Sequence, residues 1–167
     1  KDQRVMPHLH LSIQSGDDMI LKRMKRRHNS KDVFQFVDRC KKIRKDISFG
    51  ADIIAGFPTE TDTMFENTYK LLRDNEISHL HIFPFSPKNN TPASRMPQVS
   101  KLIIKKRAKI LRDLGKLILK KVKSKLSFPR EILIEELNSG LAVGYDQNYI
   151  KHKVPLVGVP VGEVIRI

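Results

Sequence analysis

Cysteine is nearly absent: Cys40 is the only one in 167 residues, so no internal disulfide and no cysteine-built metal cluster can form from this chain alone. Long apolar runs are missing as well. None approaches the roughly 18 residues that a membrane span requires, and 30% of the residues are charged. No signal-peptide pattern opens the chain, which points away from secretion and fits a cytoplasmic protein without membrane contact. There is no Walker loop, no G-x-S-x-G, no H-E-x-x-H and no zinc-type cysteine pairing, hence no obvious catalytic set. An initial methionine is absent too. Lys1 stands close to the first predicted strand, and the chain reads as a piece of something longer.

Acids are the next shortage. Against 18 Asp and Glu stand 32 Lys and Arg, a net charge of +14. That excess repels itself in a compact state and speeds encounter with a polyanion, so nucleic acid is the partner it suits best. Solvated lysines on helix faces are the plainer alternative.

What is present falls into alternating patterns. From His8 to Ile13, apolar Leu9, Leu11 and Ile13 alternate with His8, His10 and Ser12, the period of a strand with one apolar face. Ser15 is expected to cap a helix, with Asp18 closing a capping box. That helix turns Ile20, Leu21 and Met24 inward and Lys22, Arg23, Lys25, Arg26 and Arg27 outward. A second helix begins near Asn29 or Ser30, with Val33, Phe34, Val37, Cys40 and Ile43 on one stripe. Phe49 to Ala55 reads as a buried strand broken by Gly56-Phe57-Pro58, and Thr59 to Asp62 offers another capping box before a helix through Phe65, Thr68, Tyr69 and Leu72. "HLHIFPF", His79 to Phe85, is a third strand. Crossovers of about 25 residues between successive strands indicate parallel pairing in an α/β sheet or barrel.

The character then shifts. Between Lys101 and Lys125 there are eleven Lys or Arg and one acid, Asp113. Apolar Ile103, Ile110, Leu114, Leu117, Ile118 and Val122 recur at helical spacing, opposite Lys105, Lys109, Arg112, Lys116, Lys120 and Lys123. From Phe128 onward, short alternating segments separated by Gly, Pro and Asn indicate a small β-barrel or sheet. The expected division is 1–96, 97–126 and 127–167.

In parallel α/β folds ligands collect at the carboxyl ends of strands. Here those ends are Gln14-Ser15-Gly16, Gly56 to Glu60 and Phe83 to Ser86, each joining a polar group to a tight turn or an aromatic. Together they suit an aromatic cofactor with a ribose. His8, His10, His79 and His81 lie on strands in alternating pairs. Two histidines on one strand face are usually half-buried polar residues, so no metal site is expected.

"HLSIQSGDDMILKRMKRRH", "FGADIIAGFPTETDTMFENT" and "HLHIFPFSP…TPASRMPQV" resemble the later half of the radical S-adenosylmethionine methylthiotransferases, in the branch acting on threonylcarbamoyl-adenosine in tRNA. "VGYDQNYIKHKV" resembles the RNA-binding TRAM domain that follows their barrel. The resemblance runs from about Pro7 to Ile167. It implies the C-terminal half of a parallel (β/α) partial barrel, then a small β-barrel. It further implies a partial S-adenosylmethionine site. Ser12 and Gln14 would face the ribose and methionine portion, Gly50, Ile53, Gly56 and Glu60 would belong to the strand along the adenine, and Phe83, Pro84 and Phe85 would cover it. Thr91 and Ala93 lie in a loop like the family's "GTPA" signature, with Asn90 where glycine is usual and Lys88 where arginine is usual. Asn is among the better substitutes for glycine at positive φ.

The same resemblance implies [4Fe–4S] clusters, one held by a C-x3-C-x2-C loop. Cys40 cannot supply such ligands. The chain alone is therefore expected to be inactive, pending an N-terminal half that carries the cysteines, and to leave an unpaired strand edge and an uncovered apolar interior. The alternative is a non-catalytic RNA-binding remnant or split-gene subunit. Lys22, Arg23, Lys25, Arg26, Arg27, Lys105, Lys109, Arg112 and Lys116 are expected to meet the tRNA anticodon stem-loop, with the β-rich tail beside them. Tyr145 and Tyr149 either stack on bases or fill the small barrel.

Overall fold

Period-two alternation decides how the first sheet is built. The computed structural model describes residues 2, 4–126, 129–155 and 158–167. Strands β1 (His8–Gln14), β2 (Ser48–Ala55) and β3 (His79–Pro84) pair in parallel in the order β1-β2-β3. Leu9, Leu11, Ile13, Phe49, Ala51, Ile53, Leu80 and Ile82 share one face, and helices α2 (Ser30–Ile43), α3 (Asp62–Asp74) and α4 (Lys101–Lys125) pack on it to close one core. The opposite face carries His8, His10, Ser12, Gly50, Asp52, His79 and His81, because strand side chains alternate between faces. The uncovered apolar interior is therefore not found: what the helices leave open is polar. The unpaired edge is found, at β1. A groove of about 490 Å³ runs beside it, lined by Leu11, Ser12, Phe36 and Arg39 among others.

Two helix starts differ from expectation. Short α1 (Asp18–Arg23) is capped by Asp17, whose carboxylate accepts from the N–H groups of Met19 and Ile20. Ser15 lies too deep to cap, its Oγ buried 3.3 Å from Thr68 Oγ1. Gly16 presses on α3 there, since a Cβ would sit 2.6 Å from Thr68 Cα. Helix α3 is capped by Thr61, not Thr59. For α2 the Asn29–Asp32 capping box forms, but Phe34 and Ile43 are exposed and only Val33, Val37 and half-buried Cys40 face the core.

Helix α4 has the expected limits with a different buried face. Ile104, Ala108, Leu111, Leu114, Gly115 and Ile118 are buried, whereas Ile103 and Leu117 are 42% and 66% exposed. Arg107 sets this rotation by entering the protein to meet Glu60, and Gly115 lies against Leu80.

Beyond α4, strands β4 (Glu131–Asn138), β5 (Leu141–Asp146), β6 (Lys151–Val154) and β7 (Val164–Arg166) form a curled antiparallel sheet in the order β6-β5-β4-β7. Phe128, where the tail was expected to begin, and the boundary at 127 lie outside the described residues. Arg130 Nε donates to buried Asp146 at 2.6 Å, and His152 Nε2 lies 2.7 Å from the same carboxylate. The Asn148 side-chain amide donates to the backbone carbonyls of Pro7 (3.0 Å) and Asp46 (2.6 Å), and Ser48 Oγ donates to the Asn148 carbonyl. The tail sheet is thus fastened to the amino-terminal ends of β1 and β2. No described helix is long and apolar enough to cross a membrane.

Candidate functional site

At the carboxyl ends of the parallel strands the three expected loops stand side by side. Gln14 ends β1 after a register shift, buried, with φ of 70°. That left-handed conformation is costly for a non-glycine residue, and a bulge of this kind re-aims a side chain. Gly56 ends β2 at φ 75°, and a Cβ there would collide with the Ile104 side chain. The Phe85 N–H donates to the Ala55 carbonyl, joining the third loop to the second, and the Phe57 and Phe85 rings meet edge-to-face at 5.3 Å. Phe83 is 51% exposed, as an aromatic surface for a ligand would be.

Other predicted residues sit elsewhere. Ile53 is fully buried on the helix-facing side, so its side chain cannot line a cofactor cleft. Glu60, 6% exposed, accepts from the Gly56 N–H at 3.0 Å and from Arg107 Nη1 at 2.7 Å. Burial raises the Glu60 pKa, while Arg107 and the Gly56 N–H pull it back. Its side chain therefore shapes the loop instead of facing a ligand. Gly50 lies within β2, opposite His10 and away from the strand ends. Ser12 and Pro84 are exposed. Asn90 does take positive φ, 65°, and Thr91 caps the 3-10 turn Pro92–Arg95, so the turn survives without glycine.

Sequence reasoning missed Arg107. It is the one basic residue occupying a position in the stripe that runs from Ile104 through Leu111 to Ile118, and that misfit was the available signal. It also missed Asp52, the only charged residue of β2, which meets His10 Nε2 at 3.0 Å and His81 Nδ1 at 3.3 Å.

The residues expected to meet RNA separate into two ends. Lys22, Lys25, Arg26 and Arg27 are exposed beside the carboxyl ends of the strands, where Arg23 Nη1 donates to Thr59 Oγ1 at 2.6 Å. Tyr145 and Tyr149 lie at the opposite, amino-terminal end. They stack on each other at 4.8 Å, and Tyr149 stacks on His8 at 5.4 Å. The tail is therefore not beside the Lys22–Arg27 cluster; about 20 Å of strand separates them. Helix α4 links the two ends. Lys105 is exposed, Lys109 and Lys116 bracket Asp113, and Arg112 donates to the Ile82 carbonyl.

Residues 1–72 match the radical SAM superfamily. Over 153 residues the chain is 52% identical to threonylcarbamoyladenosine tRNA methylthiotransferase MtaB of Rickettsia prowazekii, covering 91% of this chain and 35% of that protein. The protein of the same name from Thermotoga maritima is 40% identical over 169 residues, 98% of this chain and 38% of that one. A tRNA-2-methylthio-N(6)-dimethylallyladenosine synthase of Ehrlichia canis is 41% identical over 96 residues, 58% of this chain and 22% of that one. The chain belongs to the radical SAM methylthiotransferases. It spans between 35% and 38% of the length of the first two relatives.

The family's cofactor set can be tested against these residues. Gln14, Gly56, Phe83 and Phe85 stand together at the carboxyl ends of the strands, the end at which parallel α/β sheets bind nucleosides. The cluster does not fit this chain: Cys40 packs half-buried against the core of α2, and burial raises its thiol pKa.

Proposed function

We propose that this chain forms the cofactor-nucleoside wall and the RNA-contacting surfaces of a tRNA methylthiotransferase. Its substrate would be threonylcarbamoyl-adenosine beside the anticodon, and the chain alone would be inactive. The observation that carries the reading is the neighbouring placement of Gln14, Gly56 and Phe83–Phe85 at one end of a parallel sheet. S-adenosylmethionine, bound with a [4Fe–4S] cluster ligated outside this chain, would supply the radical chemistry. These residues would hold its nucleoside: Ser12 and Gln14 toward the ribose and methionine portion, Phe83, Pro84 and Phe85 over the adenine.

Lys22, Arg23, Lys25, Arg26 and Arg27 share the rim with that site, so phosphates gripped there would bring a nucleoside to it. The antiparallel sheet, TRAM-like in sequence, would take the stem from the other end. Location in the cytoplasm follows from tRNA as substrate. A second reading, a non-catalytic RNA-binding protein, is favoured by one observation: the only thiol, Cys40, packs half-buried against the core.

Labelled anticodon stem-loop titrated at low and high salt tests the RNA contact. Binding should weaken steeply as salt rises, because phosphate contacts release counterions. Alanine at Arg26 and Arg27 should reduce both affinity and salt slope. Calorimetry with S-adenosylmethionine tests the cofactor wall: weak binding lost in Gln14→Ala with Phe83→Ala supports it, and binding unaltered by those changes overturns it.

A further inference from the structure

The polar face of the parallel sheet holds a cluster that the proposed reaction does not use. His10 on β1, Asp52 on β2 and His81 on β3 come from three adjacent strands, and each ligand atom lies within 4.8 Å of the other two. We infer that His10, Asp52 and His81 form a binding site for a divalent transition-metal ion of the zinc type.

Register makes the cluster. Asp52 stands directly opposite His81, and His10 stands opposite Gly50, two residues before Asp52 on the same face. The ligands are thereby fixed by ladder hydrogen bonds instead of by loops, which preorganises them. Gly50 completes the arrangement. A Cβ at that position would lie 2.6 Å from His10 Nδ1, so only glycine lets the imidazole lie across β2 with Nε2 toward the carboxylate.

The spacing suits a metal. Zinc–nitrogen and zinc–oxygen bonds of about 2.0–2.2 Å in a tetrahedral site place neighbouring ligand atoms about 3.4 Å apart. Here Asp52 Oδ1 lies 3.0 Å from His10 Nε2 and 3.3 Å from His81 Nδ1. Two imidazoles and one carboxylate suit zinc and its neighbours in the first transition row and do not suit magnesium or calcium. Asp52 has no Lys or Arg ion-pair partner among the described residues, in a chain of net charge +14. A cation at this carboxylate would therefore displace no protein cation. Three protein ligands leave a fourth position open, as in catalytic zinc sites, and it would face the uncovered side of the sheet.

Cobalt(II) is the probe, since its visible absorption reports tetrahedral coordination. The purified chain, stripped with chelator, should bind one equivalent with an intense visible band and release it to one equivalent of zinc. The His81 side chain is 59% exposed, so His81→Ala should fold normally, as circular dichroism would check. It should weaken metal affinity by more than the roughly 10–100-fold typical of losing an outer-shell partner. Asp52→Asn should abolish the band, and Gly50→Ala should weaken binding by displacing His10. Zinc should raise the melting temperature of the wild-type chain and leave that of His81→Ala unchanged. An absent band, or metal binding that persists equally in His81→Ala and Asp52→Asn, overturns the site.

Discussion

In the parallel sheet, apolar side chains from three strands and three helices close a single core, and its main buried ion pair, Arg107–Glu60, lies at the margin beside the candidate site. In the antiparallel sheet the apolar cluster is only Ile132, Ile134 and Ala142 with half-buried neighbours, and the centre is polar. There Asp146 gathers Arg130 and His152 on one oxygen and the N–H groups of Asn148 and Ile150 on the other. Burial opposes the charge on Asp146, but the hydrogen bonds from Arg130 and His152 outweigh it and hold its pKa below the usual carboxylate range. The larger unit can rest on burial of apolar area. The smaller one has too little, so satisfied polar groups fix its shape and, through Asn148, its seat on the first sheet.

Single substitutions separate these two modes. The largest effects come from stranding a buried charge, about 3–5 kcal/mol. Asp146→Ala leaves Arg130 without its carboxylate and should unfold the antiparallel sheet while amide protons of β2 stay protected from exchange. Arg107→Ala strands Glu60 and should instead loosen α4 and the Gly56–Glu60 loop. If either variant melts both sheets together, the distinction between the units fails.

Leu72→Ala, a cavity in the apolar core, should cost about 2–5 kcal/mol in urea unfolding. Its effect should fall on the parallel sheet. Asn148→Ala removes donors from the Pro7 and Asp46 carbonyls and should cost about 1–3 kcal/mol. Exchange protection should fall most around Ser48 and less in β4 and β5, where the change removes only the Asn148 acceptor of Arg130 while its bond to Asp146 remains.

Acid sharpens the same boundary. His8 lies between Ser48 and Tyr149, and burial lowers its pKa from 6.5 to about 4. The unfolded chain binds this proton first, so stability should decline as pH falls from 6.5 toward 4 and level off below. Lys125, Lys121 and Lys41 hold Glu76 down at about 2. Its contribution is present above pH 4.5 and lost as pH falls toward 2. Replacing His8 with Phe should reduce the upper step of a stability–pH profile, leaving the part that His79, also lowered by burial, supplies, and should leave the lower step unchanged.

Much of this architecture was legible beforehand. The alternation at His8–Gln14 and the 25-residue span of α4 depend on local periodicity, which a sequence displays directly. The capping positions were one step off. Ser15 and Thr59 have the right chemistry for a cap, but contacts with α3 and the Gly56 turn claim them for other work. The rotation of α4 was hidden for a similar reason, since a Lys-rich helix with two apolar stripes does not say which is buried until Arg107 finds Glu60. Of the candidate site, the strand ends could be read. The withdrawal of Glu60 and the meeting of His10, Asp52 and His81 could not, because both depend on residues brought together from separate segments.

The sequence by itself determined the strands, the helices, their parallel connection and the charge, since each rests on composition, segment length or contacts a few residues long, and its motifs carried the family resemblance. Tertiary structure alone decided which face of the sheet stays open, that the tail docks at the end away from the Lys22–Arg27 cluster, and that three strand residues share one point. Those outcomes depend on register and on the direction in which each strand enters the sheet, quantities that no single segment carries.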